Sequence, residues 1–600
     1  MTQTLKDLEP LKPAEQAVLD NLWDAPEVSI GTGELPEEVP TEEVIIRAGF
    51  VRYLCLYYDK LPEWGLGVFG ASIEGELGLE GTELKADLLL ANCRFDTALK
   101  LRSAELKSIY LNGSHLPGLD ADGLSAKGDF SLRGATATAQ VRMLGGKLGG
   151  DLNCIDATLA AEDTALNCDR LETGGEVFLR HADVTGAVRL LGARIGGDLT
   201  FEGAKLSGGE AGVAVQCDKL WAGGGVFLRS AEVAGAVRFL GTKLGASFNA
   251  DRVAITSQGS ALQFDGAQID GDLQLRHATI IGAVRILGAR ISGDLTCRST
   301  SITADGDAIN ATNAQINGTF FMRSAENENP LRLDGHLDLR AARISVICDE
   351  PRAWPEPGSL WLDRCTYDAF IEAPVSAKDR IDWLDRQPEH EFHPQPWEQC
   401  ARVLRDTGHG QDAKRLMIEK EGRHRRHRRA LLRASGQWDR LLLATVWDGI
   451  LASTVRYGRE PFLALFWLVG FAVLGAFVFN AAYQRGLVHP TGSSVLGSVA
   501  WQACGPEFGV ADTQRTAPDE TRVMCYNANP DAEDLPRFPP LMFTLDTLLP
   551  VMSFDVRSKW EVVAPPGDRL WLVYFWVQIV VGWALSLLAV AGFSGLVKSE

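Results

Sequence analysis

Several kinds of chemistry have no foothold in this 600-residue chain. No GxxxxGK(S/T), GxSxG or HExxH string occurs, so a phosphate-cradling loop, a nucleophile elbow and a helical zinc site all lack sequence support. The glycine-rich strings LGGKLGGD (144–151) and GARIGGDL (192–199) recur at a repeat period and open no helix, so they supply no helix N-terminus for a phosphate. No CxxC is found among eleven cysteines, nine of which precede residue 461, as expected of reduced cytosolic thiols. The start, MTQTLKDLEPLKPAEQ, has no basic segment followed by an apolar run, so a cleavable signal peptide is not expected. Positive charge is in deficit: the formal net charge is −19, which argues against general binding to a phosphate backbone. Neither a cofactor nor an enzymatic activity is expected.

Two long stretches, 461–483 and 570–597, lack Asp, Glu, Lys and Arg altogether. Each reaches the roughly 20 apolar residues that cross a bilayer. Trp467, Trp571, Tyr574 and Trp576 lie within them as candidate interfacial anchors. Between the stretches sits a shorter apolar segment, FPPLMFTLDTLLPVMSF (538–554). Upstream, 423–433 (RHRRHRRALLR) carries Arg423, Arg425, Arg426, Arg428, Arg429 and Arg433 and no acid. Positive charge is retained in the cytoplasm, which predicts a cytoplasmic N-terminal region, an exoplasmic 484–569 connection and a cytoplasmic tail at 598–600. The arginines are candidates for contact with anionic lipid. A DNA-binding arm is the rival reading, disfavoured by the adjacent span. Cys504 and Cys525, both in the proposed exoplasmic loop, are a candidate disulfide.

Residues 68–347 are repetitive. GDFSLRGATA (128–137), GEVFLRHADV (175–184), GGVFLRSAEV (224–233), GDLQLRHATI (271–280) and GTFFMRSAEN (318–327) start 47 to 49 residues apart. Beneath this lies a module of about eleven residues, as in GELGLEGTELK, ADLLLANCRFD and TALKLRSAELK (75–107). Alternation of period two predicts strands, and modules unable to bury their own apolar faces must stack. Two modules per coil and two coils per long repeat give a β-solenoid of some twelve coils, roughly 55–60 Å long at strand spacing. Val177, Leu179, Ala182 and Val184 are expected to point inward, above Val226, Leu228, Ala231 and Val233 and then Leu273, Leu275, Ala278 and Ile280. Outside, Arg133, Arg180, Arg229, Arg276 and Arg323 share one position, Arg142, Arg189, Arg238 and Arg285 a second, and Asp151, Asp198 and Asp294 a third. The first column is a candidate docking ladder for an acidic partner or polymer; a solvated mixed-charge face is the plainer reading.

With its small-then-apolar rhythm this stretch resembles pentapeptide-repeat and related right-handed β-helices, though its modules run near eleven residues and insertions such as SGGEAG (207–212) interrupt them. The resemblance implies architecture rather than chemistry. DNA mimicry, shown by some pentapeptide-repeat proteins, would suit the acidic charge but not a membrane tether. A capping or helical connector is expected at 348–458, following an N-terminal helical cap at 1–67. Within the connector, Trp397, Cys400 and Leu404, then Ala413, Leu416 and Met417 after a break at Gly408–Gly410, resemble a single tetratricopeptide-like hairpin. PEHEFHP (388–394) places His390 and His393 beside Glu389 and Glu391, but no third metal ligand stands at a telling spacing.

The closing module, 459–600, resembles two-transmembrane channels of the potassium-channel type. The resemblance implies a short pore helix at FTLDTLL (543–549) carrying Thr544, Asp546 and Thr547. PVMSFD (550–555) would hold the filter position, with Ser553 and Asp555 as oxygen donors. No TVGYG-like run follows, so carbonyl selectivity for potassium does not carry over. The segment either re-enters the membrane, which requires an oligomer, or lies flat on the outer leaflet.

The expected fold is thus mainly β: a cytoplasmic right-handed solenoid, a helical connector and two C-terminal spans flanking a candidate re-entrant segment. Two functions follow. The first, placed ahead because it needs only anchors and repeat, is a membrane-anchored scaffold presenting the solenoid to a cytoplasmic protein or polymer. The second is a homo-oligomeric ion-conducting pore regulated by the solenoid. An inner bacterial membrane is the expected location, with lipids as partners and nucleic acid not.

Overall fold

A computed structural model describes residues 5–209, 212–389, 392–457, 459–460, 462–505, 521–550, 552–563 and 569–593. Several expected features lie outside the described residues. They are the Pro461 start of the first apolar run, Glu210 and Ala211 of the insertion, His390 and Glu391 of the histidine cluster, Val551 of the filter position, and the 594–600 end. The chain divides into two compact units, Met1–Leu416 and Met417–Glu600.

The first unit is a parallel β-solenoid of about 14 turns. Among the described residues, 24 strands form one sheet and 19 the other. One inward column runs Phe130, Leu152, Val177, Leu199, Val226, Phe248, Leu273, Leu295 and Phe320, each in parallel register with the next. Its steps alternate between 22 residues and 25 or 27. The long repeat is therefore one short coil plus one long coil. The additional residues of the long coils sit in the opposite sheet, where Thr158–Asn167, Ala254–Gln263 and Ser301–Asn310 carry register shifts against their neighbours. A β-bulge absorbs extra residues without disturbing the inward face.

All twelve residues expected to point inward are buried. They are not direct neighbours, because the coil carrying Leu199, Phe201, Ala204 and Leu206, also buried, lies between the first two sets. The turns outnumber the expected twelve because paired strands occur outside the repetitive stretch. Val28–Ser29 and Ile45–Arg47 pair at its start, and Leu360–Trp361 and Thr366–Phe370 at its end. These coils lack the repeat and keep only the stacking.

A solenoid's last coil exposes unpaired strand edges and apolar surface, which a cap must cover. Helices α1 (Pro13–Asn21) and α2 (Ala48–Leu56) accompany the first coils. At the far end come α3 (Ala377–Leu384), α4 (Pro394–Asp406) and the start of α5 (Gly410–Ala434). Trp397, Cys400, Leu404, Ala413 and Leu416 are buried, and the Gln399 amide donates to the carbonyl of Tyr367 on the last strand. The cap centres on an ion pair fully shielded from solvent. Both Nη atoms of Arg380 donate to the two oxygens of Asp349 at 2.8 Å. Asp349 also accepts from Trp354 Nε1 at 2.8 Å, and Arg380 lies 3.6 Å from the Phe370 ring centroid.

The second unit contains α6 (Trp438–Thr454) and α7 (Phe462–Gln484), then short helices α8 (Ser493–Leu496), α9 (Val499–Ala503) and α10 (Arg522–Ala528). Helices α11 (Pro540–Leu548) and α12 (Arg569–Phe593) complete it. Two of its helices are long and apolar enough to cross a membrane, with mean hydropathy 2.5 over Phe462–Gln484 and 2.0 over Arg569–Ala591.

Breaking a buried ion pair from one side leaves the other charge uncompensated, at a cost of about 3–5 kcal/mol. Arg380→Ala is therefore expected to release hydrogen-exchange protection in 343–370 before it affects the central coils. Equal protection in the variant and the parent would contradict the capping role.

Candidate functional site

The arginine ladder on the solenoid is not continuous. Because the repeat spans two coils, the position of Arg180, Arg229 and Arg276 is held in the intervening coils by Glu202 and Asp251, as the backbone pairing shows. Arg229 pairs with Glu202 at 3.2 Å and Arg276 with Asp251 at 2.6 Å. Arg180 lies over the Phe178 ring, Arg323 donates to the carbonyl of Glu372, and Arg133 is exposed. The candidate docking column is thus mixed: charge alternates from Arg180 to Arg276, Ile155 stands between Arg133 and Arg180, and Arg298 between Arg276 and Arg323 makes three arginines in successive coils.

The other two columns fasten one coil to the next. Arg142, Arg189, Arg238 and Arg285 pair with Asp122, Asp169, Asp218 and Asp265 at 2.5–2.8 Å. The same four aspartates accept backbone N–H groups from Leu144, Leu191, Leu240 and Leu287. In the third column, Oδ1 of Asp151, Asp198 and Asp294 accepts the N–H of Glu176, Gly225 and Thr319 at 2.7–2.8 Å. Glycine is required beside these carboxylates, since a Cβ at Gly175 or Gly224 would stand 2.0 Å from the aspartate oxygen. Burial, with Asp198 and Asp151 beside it, pushes the Glu176 carboxyl above its ordinary range, against the opposing effect of Arg180. The solenoid cysteines are core: burial pushes the Cys154 and Cys297 thiols up to about 12. Among the described residues no group of three or more His, Cys, Asp or Glu is placed to hold a metal ion.

In the second unit the short apolar segment lies between the two long helices. Helix α11 starts near the C-terminal end of α7, where Phe538 stacks on Tyr483 and Phe543 meets Phe479 at 5.0 Å. Next, Thr544 faces Gly475: a Cβ there would stand 2.5 Å from the Thr544 methyl. Finally Leu548 joins Leu468 and Leu585 in a buried cluster. Each step along α11 descends α7. Leu468 is about 24 Å from Gln484 along the helix axis, and Leu585 about the same from Arg569 on α12.

Two glycines and one amide make this insertion fit. A Cβ at Gly582 would stand 2.1 Å from the Leu548 carbonyl oxygen, so α12 gives α11 room only by lacking a side chain. Gln578, fully buried, donates to the Thr544 carbonyl at 3.2 Å and to Thr547 Oγ1 at 3.0 Å. Its Oε1 has no hydrogen-bond partner. Thr544 and Thr547 therefore face the helices of their own chain. Asp546 does something else: its carboxylate accepts the backbone N–H groups of Phe554, Val556 and Arg557 at 2.7–3.0 Å. It thereby folds the return segment back beside α11. Ser553 and Asp555 are exposed on that segment, with Asp555 paired to Lys559 at 2.8 Å.

The chain then rejoins a small domain. Trp560–Val562 pairs antiparallel with Val488–Pro490, and Trp501, Tyr526, Phe538 and Trp560 form an aromatic core. Cys504 and Cys525 are joined by a disulfide.

The six arginines of 423–433 divide by partner. Arg425 and Arg429 face the buried Asp448 of α6, at 2.6 and 3.8 Å, and Arg423 and Arg426 pair with Glu419. Arg428 and Arg433 form no ion pair among the described residues. Sequence reasoning missed Gln578, the Gly475 and Gly582 contacts and helix α6. Gln578 carried a signal, since an amide inside an apolar run needs a partner.

Comparison with protein families, curated proteins and solved structures finds no match for this chain.

Two outcomes are expected. The raised Glu176 pKa means that the folded chain holds that proton more tightly than the unfolded one, so its contribution to stability falls as pH rises from the ordinary carboxylate value through the raised one. Glu176→Gln should melt higher than the parent at pH 7, with the advantage gone in acid near pH 4; equal melting at both would refute the shift. Gly582→Val should displace α11 and lower the melting temperature in detergent by several degrees, whereas Gly470→Val, at a site open to its surroundings, should not.

Proposed function

We propose that the second unit is a two-span pore-loop module that assembles into an ion-conducting homo-oligomer, with the solenoid as its cytoplasmic regulatory domain. The observation that carries this reading is the depth of α11. Its C-terminal end lies about 24 Å down helices of membrane-spanning length, against a hydrocarbon thickness of about 30 Å. A helix lying flat on the outer leaflet would meet only the ends of α7 and α12.

On this reading the 423–433 arginines set the orientation, and the disulfide-bearing domain is exoplasmic, where such bonds persist. The right-handed winding of the solenoid is taken from its resemblance to pentapeptide-repeat β-helices. Non-helical backbone at membrane depth survives only beside protein or water. Asp546 meets part of that need inside the chain. Neighbouring subunits around a water-filled axis meet the rest, with Ser553 and Asp555 exposed toward it. The absence of a TVGYG-like run leaves side-chain oxygens, rather than a carbonyl filter, as the selective groups. The scaffold reading keeps the anchors and the solenoid but leaves the insertion of α11 without a purpose, and Glu202 and Asp251, paired with Arg229 and Arg276, weaken docking of an acidic polymer on the middle of the arginine column.

Purified oligomer in planar bilayers should pass current. Asp555→Asn should move the reversal potential toward lower cation preference while the melting temperature holds. Asp546→Ala, which frees three backbone N–H groups, should abolish current and lower stability. A verified oligomer that passes no current, or a strict monomer in detergent, would overturn the pore.

A further inference from the structure

Helices α5 and α6 enclose a groove of about 560 Å³ within the second unit. Its wall from α5 is Arg428 and Leu432; its wall from α6 is Arg440, Leu443 and Trp447, with Asp448 at the base. The spacing puts Arg440, Leu443 and Trp447 on one face of α6 and Arg428 and Leu432 on one face of α5. The charges do not cancel. Asp448 is occupied by Arg425 and Arg429, whereas Arg428 has no ion pair and Arg440 reaches only the neutral Gln437 side chain. Two guanidinium groups therefore open onto an apolar trough.

The surroundings of the groove indicate what fills it. On α6, Leu442, Leu443, Val446, Trp447 and Ile450 are between 42% and 72% exposed, while Leu441 and Asp448 are buried. A helix with one buried polar contact and a broad bare apolar face suits the plane of a membrane interface. It is also held at the matching height: Trp467 Nε1, in the second turn of α7, donates to the Ser453 carbonyl near the end of α6 at 2.9 Å. The end of α6, beyond the groove, thus touches the second turn of a helix of membrane-spanning length.

We infer that this groove binds an anionic phospholipid of the inner leaflet, its phosphate held by Arg428 and Arg440 and its acyl chains lying against Leu432, Leu443 and Trp447. Guanidinium groups suit phosphate through paired N–H donors, and an apolar wall beside them selects a lipid over a soluble anion. The inference rests on the membrane orientation given under Proposed function but not on ion conduction. Because α6 leads directly into α7, an occupied groove would brace the first span.

The test uses the full chain in detergent. Phosphatidylglycerol titrated into the parent should raise its melting temperature, and native mass spectrometry should show the lipid retained; phosphatidylcholine should do neither. The double substitution Arg428→Gln, Arg440→Gln should weaken phosphatidylglycerol binding on the order of thirtyfold, as expected for two basic side chains at an anionic surface. Arg405→Gln, exposed on α4 and outside the groove, should retain full binding, and an unchanged circular dichroism spectrum should show that the double variant is folded. Equal stabilisation by inorganic phosphate alone would overturn the lipid assignment in favour of a soluble anion. Equal phosphatidylglycerol binding by the parent and the double variant would overturn the site. Reconstitution into phosphatidylcholine vesicles separates the two levels: a double variant that inserts but no longer retains phosphatidylglycerol supports the site, whereas a parent that fails to insert defeats the membrane reading itself.

Discussion

A short helix can lie between two long apolar ones only where both withdraw their side chains, and the second unit is built around that constraint. Gly475 and Gly582 supply the space on either side of α11, and a methyl group at either would collide with it. Close packing alone leaves polar atoms to be settled at depth. Thr544 returns its hydroxyl to the Pro540 carbonyl, Thr547 returns its own to the Thr544 carbonyl, and Gln578 bridges to both threonines. Asp546 then holds three backbone donors of the return segment. Without those bonds the return segment that carries Ser553 and Asp555 would lose the acceptor of three backbone N–H groups, and in the proposed membrane setting each one left unpaired in hydrocarbon costs several kcal/mol.

The solenoid solves a related problem by different means. Its backbone is satisfied coil against coil through parallel ladders, so its difficulties lie at corners and ends. At the corners, aspartates accept a backbone N–H from the next coil, and in one column, where they recur every second coil, they hold an arginine as well. At the far end, Asp349 and Arg380 are removed from solvent together, with Trp354 and the Phe370 face completing the arrangement. A buried pair of this kind adds little net stability over a well-packed apolar replacement, but it tolerates only one partner geometry. It therefore defines where stacking stops.

Much of this was legible in the residues. Period-two alternation and the 47–49 residue spacing identified strands, coils and the inward face, because burial in a stacked sheet constrains alternate residues strongly. What escaped was everything that depends on the intervening coil. Glu202 and Asp251 stand at half the repeat from the arginines, so a search for equivalent residues at the long period passes over them. The alternation of short and long coils was hidden likewise, since a bulge adds residues without changing the inward pattern. In the second unit, composition identified the two apolar helices and the segment between them. It did not distinguish a flat segment from an inserted one, because FTLDTLL is equally apolar either way. The residues that fit α11 between α7 and α12, Gly475 and Gly582, are unremarkable by type in such helices and become informative only once paired across space with Thr544 and Leu548.

That spatial pairing is also what supports proposing a pore in place of a scaffold. The sequence placed the scaffold ahead because it required the fewest features, but economy of features is not economy of energy. An anchor needs two apolar helices and nothing between them; a segment threaded to the level of Leu468 and Leu585 must shed water from its peptide groups, open two glycine clefts and bury an amide. Each of these is unfavourable alone, and together they persist only in a unit whose other contacts over-determine them. The exposed apolar flanks of α7 and α12, among them Phe466, Phe477, Val580 and Leu587, supply the lipid- or subunit-facing surface that such a unit requires. On the pore reading the inserted loop is the working surface and these flanks are its setting, which gives the local costs a purpose that an anchor does not.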